Sequence, residues 1–210
     1  MASLILHEDP VSGNCYKIRL TASLLSVPLE RRLYNILKGE TRTPDFLAKV
    51  SPYGRIPVLQ VGDAALLPES NAACHYIAEA YQSSCNLIPA DLLQRAQMLQ
   101  WMFFEQNQHE VNIATLRFWL SIIGEDNLTA GQRSQIAGKR EGGRAALTYM
   151  NEHLAKAEGG WFVGGRLTLA DICLFAYTHV ADEGGFDLNE WPHVQTWCKK
   201  LAAHSGFVAM

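Results

Sequence analysis

Ser12 and Cys15 stand close together in the stretch DPVSGNCYK, residues 9–17, just before a helical pattern begins. Either side chain suits sulfur chemistry, the hydroxyl as a donor to a thiolate and the thiol as a thiolate itself. A free thiol with a pKa near 8.5 is only a few per cent ionised at neutral pH, and the thiolate is the nucleophile. Lowering that pKa by about two makes most of it reactive and requires about 2.7 kcal/mol of preferential stabilisation of the anion. A hydroxyl at hydrogen-bond distance together with a helix N-terminus supplies that much. Asn14 adds an amide donor to the same turn. The residues alone leave Ser12, Cys15 and Asn14 all open as the working group.

Other chemistries find little support. The five cysteines (Cys15, Cys74, Cys85, Cys173, Cys198) are odd in number and scattered, with no Cys-x-x-Cys spacing. That argues against a disulfide framework or a thiolate metal site. The seven histidines form no His-Glu-x-x-His pair, so His7, His75 and His109 are expected to be surface or hydrogen-bonded residues. A formal net charge of -3 offers no basic field to nucleic acid or an anionic membrane. The apolar runs break within about ten residues, too short to span a bilayer. The start, MASLILHEDP, lacks the basic stretch and long apolar core of a signal peptide. With 48% apolar and 19% charged residues, the expectation is a globular, soluble, reduced, cytoplasmic protein without a metal.

The elements that must hold the turn follow from periodicity. SLILHE reads as a strand closed by Asp9-Pro10, and NCYKIRLTASLLS as a helix ended by Pro28. LERRLYNI is a second strand and DFLAK a helical turn. IPVLQVGDAALLPES reads as a hairpin turning at Gly62-Asp63, and ESNAACHYIAEAY as a helix. The order is β-α-β-α-β-β-α over residues 1–81. Residues 82–90, polar and Pro-containing, are the expected linker, and 91–210 read as an all-helical domain. Residues 92–123 sustain helical spacing, and 129–157 form another long helix in which Gly142-Gly143 weakens the reading at the middle. In GRLTLADICLFAYTHV, Thr168 and Asp171 have capping-box spacing, and Leu167 and Ile172 sit where a hydrophobic staple closes. Asp171 is therefore expected to be a structural cap on a buried helix.

Four features now stand in order: the SGNC turn, Ile56-Pro57 entering a hairpin strand, Pro68-Glu69-Ser70 before the third helix, and LTLAD at 167–171. In this order and spacing the chain resembles a cytosolic glutathione transferase, of the bacterial kind near the theta, delta and beta classes, over essentially its whole length. The resemblance implies a thioredoxin-like N-terminal domain, an all-α C-terminal domain and a homodimer. It also implies glutathione as co-substrate, a small electrophile as the second substrate, and no permanently bound cofactor.

By the same resemblance, Ile56-Pro57 is a cis peptide, and the Ile56 main chain pairs with the cysteinyl backbone of glutathione. The residues alone favour a proline at the first position of an edge strand. Ser70 is a good N-cap, and a helix N-terminus favours an anion, so it suits the γ-glutamyl carboxylate, with Glu69 for the adjacent ammonium. A plain capped helix is the alternative. Lys38, Thr41, Arg42 and Lys49 lie where the glycyl carboxylate is expected, and no assignment among them follows.

Ser12 sits as the theta and delta serine does in a pattern like Ser-x-Pro-Cys-Arg, with Asn14 in place of the proline and Tyr16 of the arginine. Cys15 also matches the beta-class cysteine, read here as Gly13-Asn14-Cys15, and would favour thiol–disulfide exchange. Ser12 is the preferred donor to the glutathione sulfur, with Asn14 and Cys15 as alternatives. The second substrate is expected between the domains, with Gln108, Asn112, Thr115 and Arg117 as candidates, the arginine suggesting an anionic or polar molecule. The implied activity is attack of the glutathione thiolate on an electrophile. A glutathione-dependent disulfide or peroxide reductase and a non-catalytic binding protein are the competing readings. The Ser-Ser-Cys motif of a maleylacetoacetate isomerase is absent from the turn.

Overall fold

The computed structural model describes residues 2–63, 65–81 and 86–210. β1 (Leu4–Glu8) is buried along its whole length and lies inside a four-stranded sheet of order β2-β1-β3-β4. β2 (Glu30–Leu33) runs parallel to it, while β3 (Val58–Val61) is antiparallel to both β1 and β4 (Ala65–Pro68). α1 (Gly13–Leu24) crosses from β1 to β2 and packs against α3 (Ser70–Ala80). The short α2 (Pro44–Lys49) starts at Thr43, whose hydroxyl oxygen accepts from Phe46 N at 3.3 Å. Leu6, Ile18, Leu20, Leu59, Ala73 and Ile77 fill the space between sheet and helices with no exposed surface. Ala73 and Ile77 recur at helical spacing on one face of α3, while β1 is buried on both faces of the sheet.

Two compact units divide the chain, Met1–Ile88 with Ser205–Met210, and Pro89–His204. The expected all-helical segment 91–210 thus loses its last residues to the first unit. The reason is hydrogen bonding: Tyr16 Oη donates to Val208 O at 2.7 Å and Ser23 Oγ to Gly206 O at 2.8 Å. In the expected linker 82–90, residues 82–85, Cys85 among them, lie outside the described residues, while Leu87 and Ile88 are buried.

The second unit opens with α4 (Leu92–Phe104) and α5 (Glu110–Arg117), joined by a π-helical turn at Glu105–His109 and followed by another at Phe118–Gly124. The sustained helical spacing of 92–123 is thus realised with two π-helical segments in it. α6 (Ala130–Leu154) runs unbroken through Gly142-Gly143. Propensity alone suggests a weak point there, but the glycines answer to packing. A Cβ at Gly143 would collide with the buried Phe186 ring, and one at Gly142 would lie 2.7 Å from Asn112 Nδ2. α7 (Leu169–Thr178) is buried at every position, and α8 (Pro192–Ala202) closes the unit. Asp171 accepts from Thr168 N at 2.9 Å, Thr168 Oγ1 at 3.0 Å, Phe162 N at 3.1 Å and Trp197 Nε1 at 3.0 Å. The expected cap therefore also ties α7 to α8. His109 Nε2 meets Thr178 Oγ1 at 2.8 Å, and since that hydroxyl donates to Leu174 O, the histidine is the donor. Among the described residues no helix is long and apolar enough to cross a membrane.

Candidate active site

The turn after β1 is ordered by Asp9. Its carbonyl accepts from Ser12 N at 3.0 Å, and its buried carboxylate accepts from Val11 N at 3.2 Å and Ile36 N at 3.0 Å. One side chain thus holds the β1–α1 turn against the segment after β2. Behind it, the fully buried Glu8 is held by Arg19 of α1, at 3.1 Å, and by Arg31 of β2. A buried carboxylate needs such cations, and here they lock the end of β1 to its neighbours. His7 is buried too. Gln60 Nε2 donates to Gly62 O, so Gln60 Oε1 accepts from His7 Nε2, and His7 Nδ1 accepts from the Tyr34 hydroxyl.

Ser12 caps α1. Its backbone is extended (φ -80, ψ 120) and its Oγ accepts from Cys15 N at 3.3 Å. A hydroxyl has one hydrogen to give, and capping uses only the oxygen's lone pair. Ser12 can therefore cap the helix and donate at once. Cys15 has no exposed surface, and burial pushes its thiol up to about 12 against the weaker pull of the Ser12 hydroxyl and the Asp9 backbone. Such a thiol stays protonated at neutral pH and is a poor nucleophile.

The N-terminus of α3 lies against that of α1. Ser70 is the first helical residue and Glu69 the N-cap, so the expected Ser70 cap is shifted by one residue. Glu69 has φ 71, a left-handed value that a side chain adopts at a cost of about 1–3 kcal/mol and that gathers at functional sites. This backbone turn leaves the Glu69 carboxylate exposed and swings Ser70 inward. The Ser70 hydroxyl donates to Asn14 Oδ1 at 3.0 Å and accepts from Lys17 Nζ at 3.5 Å. Lys17 Nζ also donates to Asn71 Oδ1 at 3.2 Å, and Lys17 has no exposed surface. Sequence reasoning missed Lys17. The available signal was a lysine set among Cys15, Tyr16 and Ile18, all buried positions of one short helix.

Ile56-Pro57 is cis. The alternative of an edge-strand proline does not apply, because Pro57 precedes β3 and β3 is an interior strand. A cleft of about 230 Å³ opens beside the turn, lined by Asp9, Pro10, Leu33, Tyr34, Asn35 and Glu40. Of the cations and hydroxyl considered for the glycyl end, Arg42 Nη1 donates to Tyr53 O at 2.8 Å, Lys49 pairs with Asp45 at 2.5 Å, Thr41 is buried and Lys38 is exposed.

The co-substrate candidates all lie on one stretch of the helical unit. Arg117 is buried with its Nε 2.8 Å from Glu183 Oε2, so its charge is met within that unit. Asn112 Nδ2 donates to Gln108 O at 2.6 Å and packs on Gly142. Thr115 is half-buried and the Gln108 side chain is exposed. Asn112 and Arg117 thus both have partners within this unit.

Residues 6–84 match the family model for the glutathione S-transferase N-terminal domain, and residues 111–205 the model for its C-terminal domain. A crystal structure of a glutathione S-transferase from Pseudomonas fluorescens is 41% identical, with a TM-score of 0.87 and 98% of each chain covered. The maleylacetoacetate isomerase of Pseudomonas aeruginosa is 30% identical over 200 residues, covering 93% of this chain and 90% of that protein. Glutathione S-transferase 2 of Anopheles gambiae is 29% identical over 195 residues, covering 92% and 88%. With both domain models matched in order and relatives aligned nearly end to end, the chain belongs to the glutathione S-transferase family.

Proposed function

We propose that the protein activates glutathione by donating the Ser12 hydroxyl hydrogen to its sulfur. The observation that carries this reading is the Ser12 cap, in which the oxygen accepts from Cys15 N, a role that does not use the hydroxyl hydrogen. The glutathione thiol proton passes to water. The thiolate, held by the hydroxyl and the N-terminus of α1, then forms a bond to an electrophilic carbon as the leaving group departs with its electron pair. A preorganised donor aimed at the anion contributes about 3 kcal/mol in sites of this kind. In this reading Ser70 and the first amides of α3 take the γ-glutamyl carboxylate, Glu69 takes the ammonium and the Ile56 main chain takes the cysteinyl backbone. The Pro10–Leu33–Tyr34 cleft receives the electrophile.

The buried, protonated Cys15 speaks against the form of the disulfide-reductase reading that uses Cys15, which needs an accessible low-pKa thiol there. Leu92, Leu93 and Phe103 of α4 are exposed apolar side chains, which supports covering by a second copy of the chain. The buried thiols of Cys15, Cys74, Cys173 and Cys198 suit the reducing cytoplasm.

The test combines glutathione calorimetry with conjugation of a generic aryl halide. Binding with turnover, a loss of about 100-fold in kcat/KM for Ser12→Ala and little change for Cys15→Ala support the proposal. Full activity in Ser12→Ala with loss in Cys15→Ala reverses the assignment, and absent glutathione binding removes it.

A further inference from the structure

We propose that the cleft beside the β1–α1 turn selects its electrophile by charge, favouring cationic molecules and turning away anionic ones, a statement that rests on the glutathione reading above. Two of the residues lining it are carboxylates, Asp9 and Glu40, and none is a cation. Both carboxylates are fixed in place by neutral amides. Asp9 is buried and accepts from Val11 N at 3.2 Å and Ile36 N at 3.0 Å, while Glu40 Oε2 accepts from Asn35 N at 2.7 Å. The cations of the same segments are engaged elsewhere or face solvent. Arg19 and Arg31 pair with Glu8, Arg32 pairs with Glu30, Arg42 donates to Tyr53 O and Lys38 is exposed. A buried carboxylate such as Asp9 acts through a lower effective dielectric than a surface one, and salt screens it less.

The uncharged part of the wall carries the same preference. Burial pushes the His7 imidazole down, and its Nε2 donates to Gln60 Oε1 at 3.1 Å, so the neutral ring accepts the Tyr34 hydroxyl hydrogen at Nδ1 across 2.9 Å. Tyr34 therefore gives its one hydrogen inward and can only accept from a ligand. Asn35 Oδ1 accepts from Lys38 N at 3.0 Å, which leaves the Asn35 amide NH2 as the remaining donor among the lining side chains. Main-chain donors are committed too. Tyr34 N donates to Glu8 O at 2.8 Å and Glu40 N to Asn35 O at 3.2 Å, and Pro10 has no N–H. An anion entering this cleft meets two fixed carboxylates and one amide to hold it, whereas a cation meets complementary charge beside the apolar surface of Pro10 and Leu33.

The experiment uses three benzyl chlorides that differ only in a remote para substituent: trimethylammoniomethyl, methyl or carboxymethyl. In each, the glutathione sulfur bonds to the benzylic carbon as chloride leaves with the electron pair. Each kcat/KM is divided by the uncatalysed rate with glutathione, which removes differences in intrinsic reactivity. The wild-type chain is expected to favour the ammonium over the carboxylate by about 10- to 50-fold, with the methyl compound between them. Glu40→Gln, which keeps an acceptor for Asn35 N, should cut that ratio about 3- to 5-fold, and Glu40→Lys should bring it close to one. A wild-type ratio of one or less overturns the inference, as does a ratio that neither variant moves. A wild-type chain that binds no glutathione by calorimetry and conjugates none of the three overturns the glutathione reading itself.

Discussion

Ser70 donates its hydroxyl hydrogen to Asn14 Oδ1 across 3.0 Å, and this bond joins the N-terminal turns of α1 and α3. It brings the turn carrying Ser12 beside the turn that suits an α-carboxylate. It also gives Asn14 a task other than touching sulfur through its oxygen.

From this bond follows a division of labour. Asn14→Ala is expected to weaken glutathione binding about 5- to 10-fold, the value of one net hydrogen bond, while thiol ionisation stays where it was. A double-mutant cycle with Ser70→Ala, read by calorimetry, should show the two losses to be coupled rather than additive.

Glu69 stores backbone strain at its φ of 71. Glu69→Gly is expected to leave thermal stability unchanged or raise it by up to about 1 kcal/mol, because glycine adopts that conformation freely. Glutathione affinity should nevertheless fall. A variant that loses stability and affinity together would contradict a functional origin for the strain.

Two glycines of α6 test the packing account of its unbroken course. A Cβ at Gly138 meets nothing within 4 Å, so Gly138→Ala should stabilise by about 0.5–1 kcal/mol in urea unfolding. Gly143→Ala drives its methyl into the buried Phe186 and should cost about 1–3 kcal/mol.

Asp171 links stability to pH. Burial pushes its carboxyl up to about 6 despite the Phe162, Thr168 and Trp197 donors. An unfolded aspartate titrates near 3.9, so between those values the folded chain binds more protons. This group's contribution to stability therefore falls as pH rises from about 4 to about 6 and is flat above, a span worth on the order of 3 kcal/mol. Urea midpoints of the wild-type chain and Asp171→Asn across that range should show the slope in the former only.

The local signals were legible. Strand β1, the Asp171 cap and the order of the first domain follow from periodicity and capping chemistry that act within a few residues. What escaped depends on distant partners. The break suspected at Gly142-Gly143 is a propensity argument overruled by Phe186, more than forty positions away. The ion pair of Arg117 with Glu183, 66 positions away, likewise lies beyond what local sequence can show. The tail at 205–210 belongs to the first unit, where Tyr16 and Ser23 donate to its carbonyls. Lys17 carries no motif, and its burial follows from the packing of α1 on α3. At Ser12 the residue type suggested a donor, and the cap geometry leaves it a hydrogen to donate.

The most direct test of that donation is the ultraviolet absorbance of the glutathione thiolate, titrated against pH in the bound state. In the wild-type chain and in Cys15→Ala the midpoint should lie well below that of free glutathione, and in Ser12→Ala it should rise by about one to two pH units. A midpoint unmoved by Ser12→Ala would contradict the central claim.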